Sequence, residues 1–293
     1  MAAPVLLLTG ATGFLGRRLL PGLAGAWRIV ATSRSTGGPD AIAFDLADPG
    51  SLARAFESAC PAAVVHAGGI ADPDACEREP EVARRVNVEA VKVLAGLCAK
   101  AKVRLVHFST DYVFDGMKGW YREDDPARPI SVYGRGKLES EEAVLSLCPD
   151  SAILRVSNCY GRLLGGRACY LDHLQTSLAA GRAVPGFTDQ WRTSTAGDQV
   201  PEIVGLLLAD RELRGVFHWG GADRATRYDA ALTCCRVMGY DERLVRPARA
   251  ADRDFAAPRP RDTSLNSSRL AAALGLAPVG LEEGFAALKT WRN

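Results

Sequence analysis

The chain has 293 residues, of which 47% are hydrophobic and 24% are charged, and its formal net charge is +2. This length is enough to bury a large core, either as one domain or as a domain with an attached lobe. The nearly balanced charge argues against nucleic acid and against an anionic membrane surface as partners.

In the first half of the chain, short apolar runs typical of strands alternate with stretches of helical periodicity. The predicted strands are residues 5–9, 28–32, 41–44, 62–66, 104–109 and 152–156. The predicted helices are residues 14–23, 49–59, 81–100 and 131–147. This alternation predicts an α/β fold with a doubly wound parallel sheet of the Rossmann type, which binds ligands beyond the carboxyl ends of its strands.

The first predicted strand runs directly into a glycine-rich turn. Gly10 permits a tight turn, Gly13 lets a pyrophosphate approach the backbone, and Gly16 lets helix and strand pack closely. The phosphates then lie at the helix N-terminus. Because the apolar run is too short for a signal peptide, we expect a cytoplasmic protein. The turn residues predicted to bind a dinucleotide are Gly10, Thr12, Gly13, Phe14, Leu15 and Gly16.

The residues after the second predicted strand bear on the choice of cofactor. An acidic residue about twenty positions after the glycine turn would bind the adenosine ribose and select NAD, but the sequence there is Ser33-Arg34-Ser35. The guanidinium of Arg34 can pair with a 2′-phosphate. We therefore expect NADP, with NAD as the open alternative. Small residues after the fourth predicted strand let the cofactor pass close to the backbone, namely Ala67, Gly68 and Gly69.

Two hydroxyl residues end the fifth predicted strand, and a Tyr-x-x-x-Lys motif follows on a predicted helix. Tyr133 and Lys137 share one helix face because they are four residues apart. We expect the ammonium to lower the pKa of Tyr133, so that the tyrosine can protonate a carbonyl oxygen during hydride transfer. Either Ser109 or Thr110 can donate a hydrogen bond to that oxygen, and the residues alone favour neither.

The second half of the chain is less regular. Glycines and prolines interrupt the pattern after about residue 158, and a helix at 200–209 and a strand at 215–219 are the clearest elements. Residues 246–261 are rich in Ala, Arg and Pro and are predicted to form a loop. The eight cysteines have no metal-ligand spacing, so we expect reduced thiols and no metal site.

The motif Ser109-Thr110-Asp111-Tyr112-Val113-Phe114-Asp115-Gly116 resembles the dTDP-4-dehydrorhamnose reductase family of extended short-chain dehydrogenases/reductases, which also includes the methionine adenosyltransferase β subunit. Glu79-Pro80, Val86-Asn87-Val88 and the segment 259–266 are similar as well. The resemblance implies reduction of a nucleotide-linked 4-keto-6-deoxy sugar. It also implies an NADP-binding Rossmann domain at 1–158, rejoined by about 196–220, and a smaller C-terminal substrate-binding lobe at 159–293.

The resemblance assigns roles to individual residues. By analogy Thr110 rather than Ser109 is the catalytic hydroxyl, Tyr133 is the general acid, and Lys137 also binds the nicotinamide ribose. Arginine forks suit a sugar diphosphate, with Arg259 and Arg261 as further candidates beside Arg192. The other residues implied to contact the cofactor are Asp45, Leu46, Asn87 and Ser109. Those implied to contact the substrate are Asp111, Tyr112, Asn158 and Arg192.

The sequence departs from the family pattern at two places. Asn158 stands where the rhamnose reductases usually carry a tryptophan beside the sugar, so another keto-sugar is left open. Arg17-Arg18 stand in the helix where some members use a glutamate in metal-linked dimers, and a homodimer through helices 81–100 and 131–147 is left open. The alternative functions are another extended enzyme, such as a nucleotide-sugar epimerase or dehydratase, and a non-catalytic NADP-binding regulatory subunit.

Overall fold

The computed structural model describes residues 2–33, 41–162, 164–165 and 170–290. The strands are β1 (Val5–Thr9), β2 (Arg28–Ser33), β3 (Ala41–Ala43), β4 (Ala63–His66), β5 (Arg104–Thr110), β6 (Ala152–Val156), β7 (Val184–Phe187), β8 (Trp191–Arg192), β9 (Gly215–Trp219), β10 (Ala225–Thr226) and β11 (Val245–Ala248). The helices are α1 (Gly16–Leu23), α2 (Pro49–Ala59), α3 (Pro73–Arg78), α4 (Pro80–Arg84), α5 (Ala90–Ala101), α6 (Val132–Leu147), α7 (Tyr170–Ala179), α8 (Val200–Ala209), α9 (Arg227–Met238), α10 (Ser268–Leu274) and α11 (Leu281–Thr290).

A seven-stranded parallel sheet in the order β3-β2-β1-β4-β5-β6-β9 forms the centre of the described structure. The strand order reverses between β1 and β4, and a crevice opens at their carboxyl ends. The predicted doubly wound parallel sheet of the Rossmann type is confirmed.

Helices cover both faces of this sheet. In β1, Leu6 and Leu8 face one apolar layer and Leu7 faces the other, because successive strand residues point to opposite faces. The first layer contains residues of α1, α8 and α10. The second contains residues of α2, α5 and α6. A strand buried on both faces reads as a continuous apolar run, which is why β1 is recognisable in the sequence.

The C-terminal part of the chain contributes both to the sheet and to a separate core. The strand β9 pairs with β6 at the sheet edge, and α8 packs on α1. The helices α7, α9 and α11 share an apolar core with β7 and β11. The domain division at residue 158 stays a prediction.

The prediction of a loop across residues 246–261 is wrong at its start. Val245–Ala248 forms β11, which pairs in parallel with β7. Val245 is buried, whereas Arg246 and Pro247 are exposed. A proline is tolerated in a strand at a sheet edge, where its missing N–H leaves no ladder bond unmade.

The single helix predicted at 81–100 is also wrong in detail. The structure has α4, then a π-helical turn at Arg85–Glu89, then α5. The wider turn contains the buried Asn87, whose side-chain amide binds both the N–H and the carbonyl of Ile70, at 2.8 and 2.9 Å. Single π turns often occur at functional sites, and this one holds the chain that follows β4.

The outer surface of α4–α6 carries ion pairs. The carboxylate of Glu139 forms ion pairs with Arg84 at 2.6 Å and with Lys92 at 3.0 Å. Both cations also form ion pairs with Glu89. The possible homodimer through these helices stays a prediction. None of the helices in the described residues is long and apolar enough to cross a membrane.

Candidate active site

The glycine turn after β1 is compact, and its geometry explains the glycines. Gly10 has φ +71°, and a Cβ there would lie 2.5 Å from the carbonyl oxygen of Ala67. The N–H of Gly13 donates to the carbonyl of Gly10 at 2.9 Å. The turn therefore brings the ends of β1 and β4 together directly before α1, and helix N-termini in this position of a Rossmann sheet bind dinucleotide pyrophosphates.

Small residues also line the next part of the crevice. A Cβ on Gly68 would lie 2.9 Å from the end of the Leu46 side chain, which would have to shift to make room for it. Gly69 lies against the Asn87 amide oxygen. Asp45 is exposed and accepts a hydrogen bond from the N–H of Ala47 at 2.9 Å. That Leu46, Asp45 and the segment 67–69 contact a cofactor stays a prediction. Arg34, the predicted NADP determinant, lies outside the described residues.

The Arg18 side chain connects the glycine turn to Arg162 and Asp198, and the sequence analysis did not predict these contacts. Its buried guanidinium binds Asp198 at 2.8 Å, donates to the carbonyls of Phe14 and Arg162, and covers the Phe14 ring at 3.7 Å. Thr12 is exposed, and its carbonyl accepts the Arg17 side chain at 3.0 Å. The turn is thus held from its helix side by two arginines.

Thr110 lies at the carboxyl end of β5, facing the crevice. Its hydroxyl accepts the N–H of Tyr112 at 3.2 Å and donates to Asp111 Oδ1 at 3.2 Å. A contact with the Thr110 hydroxyl also lowers the pKa of Tyr133. The structure therefore brings the two predicted catalytic hydroxyls together. A substrate carbonyl must draw the Thr110 proton away from Asp111.

Tyr133 lies in the first turn of α6. That turn is fixed by Ser131 Oγ, which accepts the N–H of Gly134 at 3.1 Å, and by Glu77, which accepts the N–H of Val132 at 3.0 Å. Burial raises the pKa of Tyr133 above its ordinary value, and the hydrogen bond to Thr110 opposes this rise. A tyrosine with a raised pKa stays protonated at neutral pH and can serve as an acid.

Lys137 is buried one turn further along α6. Its ammonium donates to the carbonyl of Phe108 at 2.6 Å and lies 3.2 Å from His107 Nε2. Burial lowers the pKa of Lys137 to about 8, and Glu141 opposes this. The expected lowering of the Tyr133 pKa by Lys137 is not seen, because the lysine is bound to β5 and burial of the tyrosine dominates.

Asp111 is turned inward rather than toward a ligand. Its carboxylate is 2% exposed and accepts the hydroxyls of Thr110, Ser157 and Thr263. Arg192 Nε lies 3.3 Å from the same carboxylate. Asp111 therefore orients the Thr110 hydroxyl, a role that differs from the substrate contact implied by the resemblance.

Arg192 is likewise committed to the protein. Its guanidinium is buried and donates to the carbonyls of Trp191, Pro260 and Arg261, and it lies 5.6 Å from the Tyr112 ring. Few N–H groups of this guanidinium are therefore left to bind a diphosphate. Arg192 nonetheless connects β8 with Asp111 at the carboxyl end of β5, and no sequence pattern reveals this contact.

Two other predicted substrate residues lie at the crevice. Asn158 is half-buried, has φ +38°, and donates to Ser194 Oγ at 3.2 Å. Tyr112 is half-buried and meets the Tyr133 ring edge-on, with 5.8 Å between ring centroids. Their contact with substrate stays a prediction.

Ser109 and Thr110 are separable by mutation. We expect Thr110→Val to lower turnover about 100-fold, because it removes the hydroxyl predicted to donate a hydrogen bond to the substrate oxygen. Ser109 Oγ is buried without a hydrogen-bond partner among the described residues, so Ser109→Ala removes no protein contact and should change turnover less than about threefold. Steady-state kinetics of the two variants checks this. A larger loss in the Ser109 variant would reverse the assignment.

A pocket of about 570 Å³ lies in the lobe beside β8. Trp191 and Phe255 contribute aromatic walls, and Arg261 lies over the Trp191 ring at 5.1 Å. Arg249, Arg253 and Arg261 are exposed, and none forms an ion pair within the described parts of the chain. The pocket therefore offers three guanidinium groups to an anion.

Hydrogen bonds and an ion pair fix the segments that line the pocket. Asp189 accepts the N–H groups of Ala250 and Ala251, at 2.7 and 3.1 Å, and Arg259 binds Asp74 of α3 at 2.6 Å. Because Trp191 in the pocket precedes Arg192 at the catalytic centre, one short strand joins the two regions.

Comparison with known proteins identifies relatives along almost the whole chain. The family model described as the RmlD substrate binding domain matches residues 4–289. A probable low-salt glycan biosynthesis reductase, Agl14, of Haloferax volcanii is 38% identical over 77% of this chain and 76% of its own. A probable dTDP-4,6-dihydroxy-2-methyloxan-3-one 4-ketoreductase of Streptomyces antibioticus is 34% identical, covering 98% of this chain and 92% of its own.

The methionine adenosyltransferase 2 subunit beta of Bos taurus is 30% identical over 98% of this chain and 90% of its own. Among solved structures, a hypothetical dTDP-4-dehydrorhamnose reductase from Sulfolobus tokodaii is 30% identical, with a TM-score of 0.85 over 95% of this chain and 98% of that one. The similarity to the Sulfolobus tokodaii structure thus extends to the fold of almost the whole chain.

Proposed function

This chain belongs to the family described as the RmlD substrate binding domain, and from that premise we propose that it is an NADPH-dependent reductase of a nucleotide-linked 4-keto-6-deoxy sugar. One observation carries the proposal. Thr110 at the end of β5 contacts Tyr133 of α6, and Lys137 of the same helix binds the carbonyl of Phe108 in β5.

The proposed chemistry assigns one task to each side chain. The bound cofactor supplies the hydride. Thr110 donates a hydrogen bond to the carbonyl oxygen and stabilises the negative charge that develops there. Tyr133 gives its proton to that oxygen as the alkoxide forms. Lys137 is assigned to the nicotinamide ribose hydroxyls of the cofactor, because its ammonium can only donate and does not lower the pKa of Tyr133 here.

The choice of NADP over NAD rests on sequence. Arg34 follows β2, and no acidic residue stands at the position that selects NAD. The residues we propose to hold the cofactor are those of the glycine turn together with Leu46 and the segment 67–69. Measuring NADPH and NADH side by side in one assay tests the preference.

The substrate class follows from the pocket. A nucleoside diphosphate carries two phosphates and a flat base, and the pocket presents unpaired guanidinium groups beside aromatic rings. We place the diphosphate at Arg249, Arg253 and Arg261, and the sugar between Trp191 and Thr110. This placement replaces Arg192 as the proposed phosphate ligand, because its guanidinium already binds backbone carbonyls.

The pocket predicts a specific kinetic effect. Arg261→Ala and Arg249→Ala should each raise KM for the nucleotide sugar about tenfold or more, because each removes a charge-assisted hydrogen bond. Turnover at saturation should change little. Arg54→Ala on α2, whose side chain is 73% exposed, is the matched control and should leave KM unchanged. An unchanged KM in both pocket variants would remove the diphosphate from this pocket.

The direct test is oxidation of NADPH with dTDP-4-dehydrorhamnose, followed by other nucleotide-linked keto-sugars. Turnover supports the proposal. Because Asn158 replaces the family tryptophan, a different keto-sugar as the better substrate would fit the same site. Tightly retained NAD with interconversion of sugar epimers would instead indicate an epimerase.

The likeness to methionine adenosyltransferase subunits favours a second candidate, a regulatory subunit that binds NADP. The same assay separates the two functions. A protein that binds NADPH but consumes none with any keto-sugar, and that co-purifies with a larger enzyme, would be the regulatory subunit.

A further inference from the structure

Two stacked imidazoles lie beneath the catalytic lysine. His66 ends β4 and His107 lies beside it in β5, with ring centroids 5.2 Å apart and planes tilted by 13°. Both side chains are at most 1% exposed. Thr9 Oγ1 lies 2.6 Å from His66 Nδ1 and anchors the lower ring. The proposed chemistry uses neither histidine.

The hydrogen bonds around Lys137 determine which nitrogen of His107 carries the proton. His107 Nε2 has two polar neighbours, Lys137 Nζ at 3.2 Å and Ser140 Oγ at 3.1 Å. The hydroxyl of Ser140 donates its single proton to the carbonyl of Lys137 at 2.7 Å. A charged lysine has no lone pair and can only donate. The 3.2 Å contact with Lys137 is therefore a hydrogen bond only if Nε2 accepts and the proton lies on Nδ1, which has no hydrogen-bond partner among the described residues.

We propose that His107 is a positioning residue for Lys137: its Nε2 and the carbonyl of Phe108 each accept one N–H of the ammonium and so direct the third toward the reaction centre. His66 keeps the His107 ring in this orientation through the stack. The described residues give the third N–H no hydrogen-bond partner, which leaves it for the cofactor. The proposal rests on the function proposed above.

Burial supports an accepting imidazole. Burial and the nearby charge of Lys137 hold the pKa of His107 well below its ordinary value, and the same two causes lower that of His66 to about 3. Both rings are thus neutral near pH 7. The other ionisable groups near Lys137 are Tyr133 and Glu141 on its own helix, and Arg155 of β6 neutralises Glu141.

The first test needs no substrate. The chain has four histidines, so long-range proton–nitrogen NMR of protein labelled with ¹⁵N-histidine can resolve each ring. We expect His107 to be neutral with its proton on Nδ1. A proton on Nε2 would overturn the proposal, because such a nitrogen cannot accept from lysine. This outcome is independent of whether the proposed substrate is correct.

The second test uses variants that differ in the position of the acceptor. His107→Leu should lower kcat about 10- to 100-fold through misplacement of the ammonium, with little change in KM for the sugar. His107→Gln extends an amide oxygen toward the Nε2 position and should restore most of the activity, whereas the shorter His107→Asn should not. His173→Gln, at an exposed histidine on α7, controls for loss of an imidazole away from this site.

The pH profile separates positioning from a general loss of structure. A hydrogen bond to the charged form stabilises it, so its removal should lower the pKa of Lys137 below about 8. In His107→Leu the alkaline limb of the kcat–pH profile should therefore move to lower pH. In His107→Gln it should return to its wild-type position. A His107→Leu variant that keeps the wild-type kcat and the wild-type alkaline limb of the kcat–pH profile would contradict the proposal. Wild-type enzyme without turnover would contradict only the proposed function, since the NMR result stands apart.

Discussion

Replacing Tyr133 by phenylalanine should lower reductase turnover by about 10²- to 10⁴-fold, the usual contribution of a positioned general acid. Burial raises the pKa of this tyrosine, so it holds its proton at neutral pH and can deliver it as the alkoxide forms. The phenyl ring keeps the edge-on contact with Tyr112, at 5.8 Å between centroids in the parent, so the fold should be retained.

The measurement is kcat with the best keto-sugar, accompanied by NADPH binding from fluorescence titration and by the melting temperature. Cofactor binding and melting temperature should stay near their wild-type values. Tyr228→Phe in the lobe helix α9 is the matched control, because it removes the same hydroxyl away from the crevice. A Tyr133 variant that retains a tenth of the wild-type turnover or more would exclude the acid role.

The largest effect on stability is expected at Glu141. Its carboxylate binds Arg155 through two nitrogens, at 2.9 and 2.6 Å, and both side chains are at most 5% exposed. Glu141→Leu leaves a buried guanidinium without its counter-charge, which typically costs about 3–5 kcal/mol. Because α6 also carries Tyr133 and Lys137, activity should be lost at lower urea concentrations in parallel with unfolding.

A control for this substitution is present two residues earlier on the same helix. Glu139→Leu breaks exposed ion pairs to Arg84 and Lys92 and should cost less than about 1 kcal/mol. The double change Glu141→Leu with Arg155→Leu should recover part of the lost stability, since no charge is then left buried. Equal urea midpoints for the Glu139 and Glu141 variants would show that the buried pair contributes little.

The sheet was predictable because parallel strands buried on both faces leave continuous apolar runs. The run Val5–Thr9 followed by the glycine turn specifies both a strand and the start of a helix. The short helix α3 was missed although Asp72 and Pro73 mark its start, with the Asp72 carboxylate accepting the N–H of Asp74 at 3.0 Å. A two-residue capping signal is not enough to predict a helix in a segment too short to show helical periodicity.

Other features depend on contacts between distant parts of the chain, and no local pattern reports them. The π turn at Asn87 exists because its amide meets Ile70, 17 residues away in sequence. Arg192 reads as an exposed loop arginine until the fold places backbone carbonyls around it. The residue types at the site were thus predictable from motif and resemblance, whereas the partners of each side chain were not.

Asp111 has a consequence for when the protein becomes active during its synthesis. Its partners belong to four separate parts of the chain, with Thr110 in β5, Ser157 after β6, Arg192 in β8 and Thr263 near the C-terminal end. A chain synthesised only to residue 250 already contains every strand of the large sheet, the glycine turn and the Tyr-x-x-x-Lys helix. It lacks Thr263, and so the Asp111 carboxylate that orients the catalytic threonine is incompletely held. Under the proposed function, chemical competence therefore requires the final segment of the chain as well as the domain that carries the motifs.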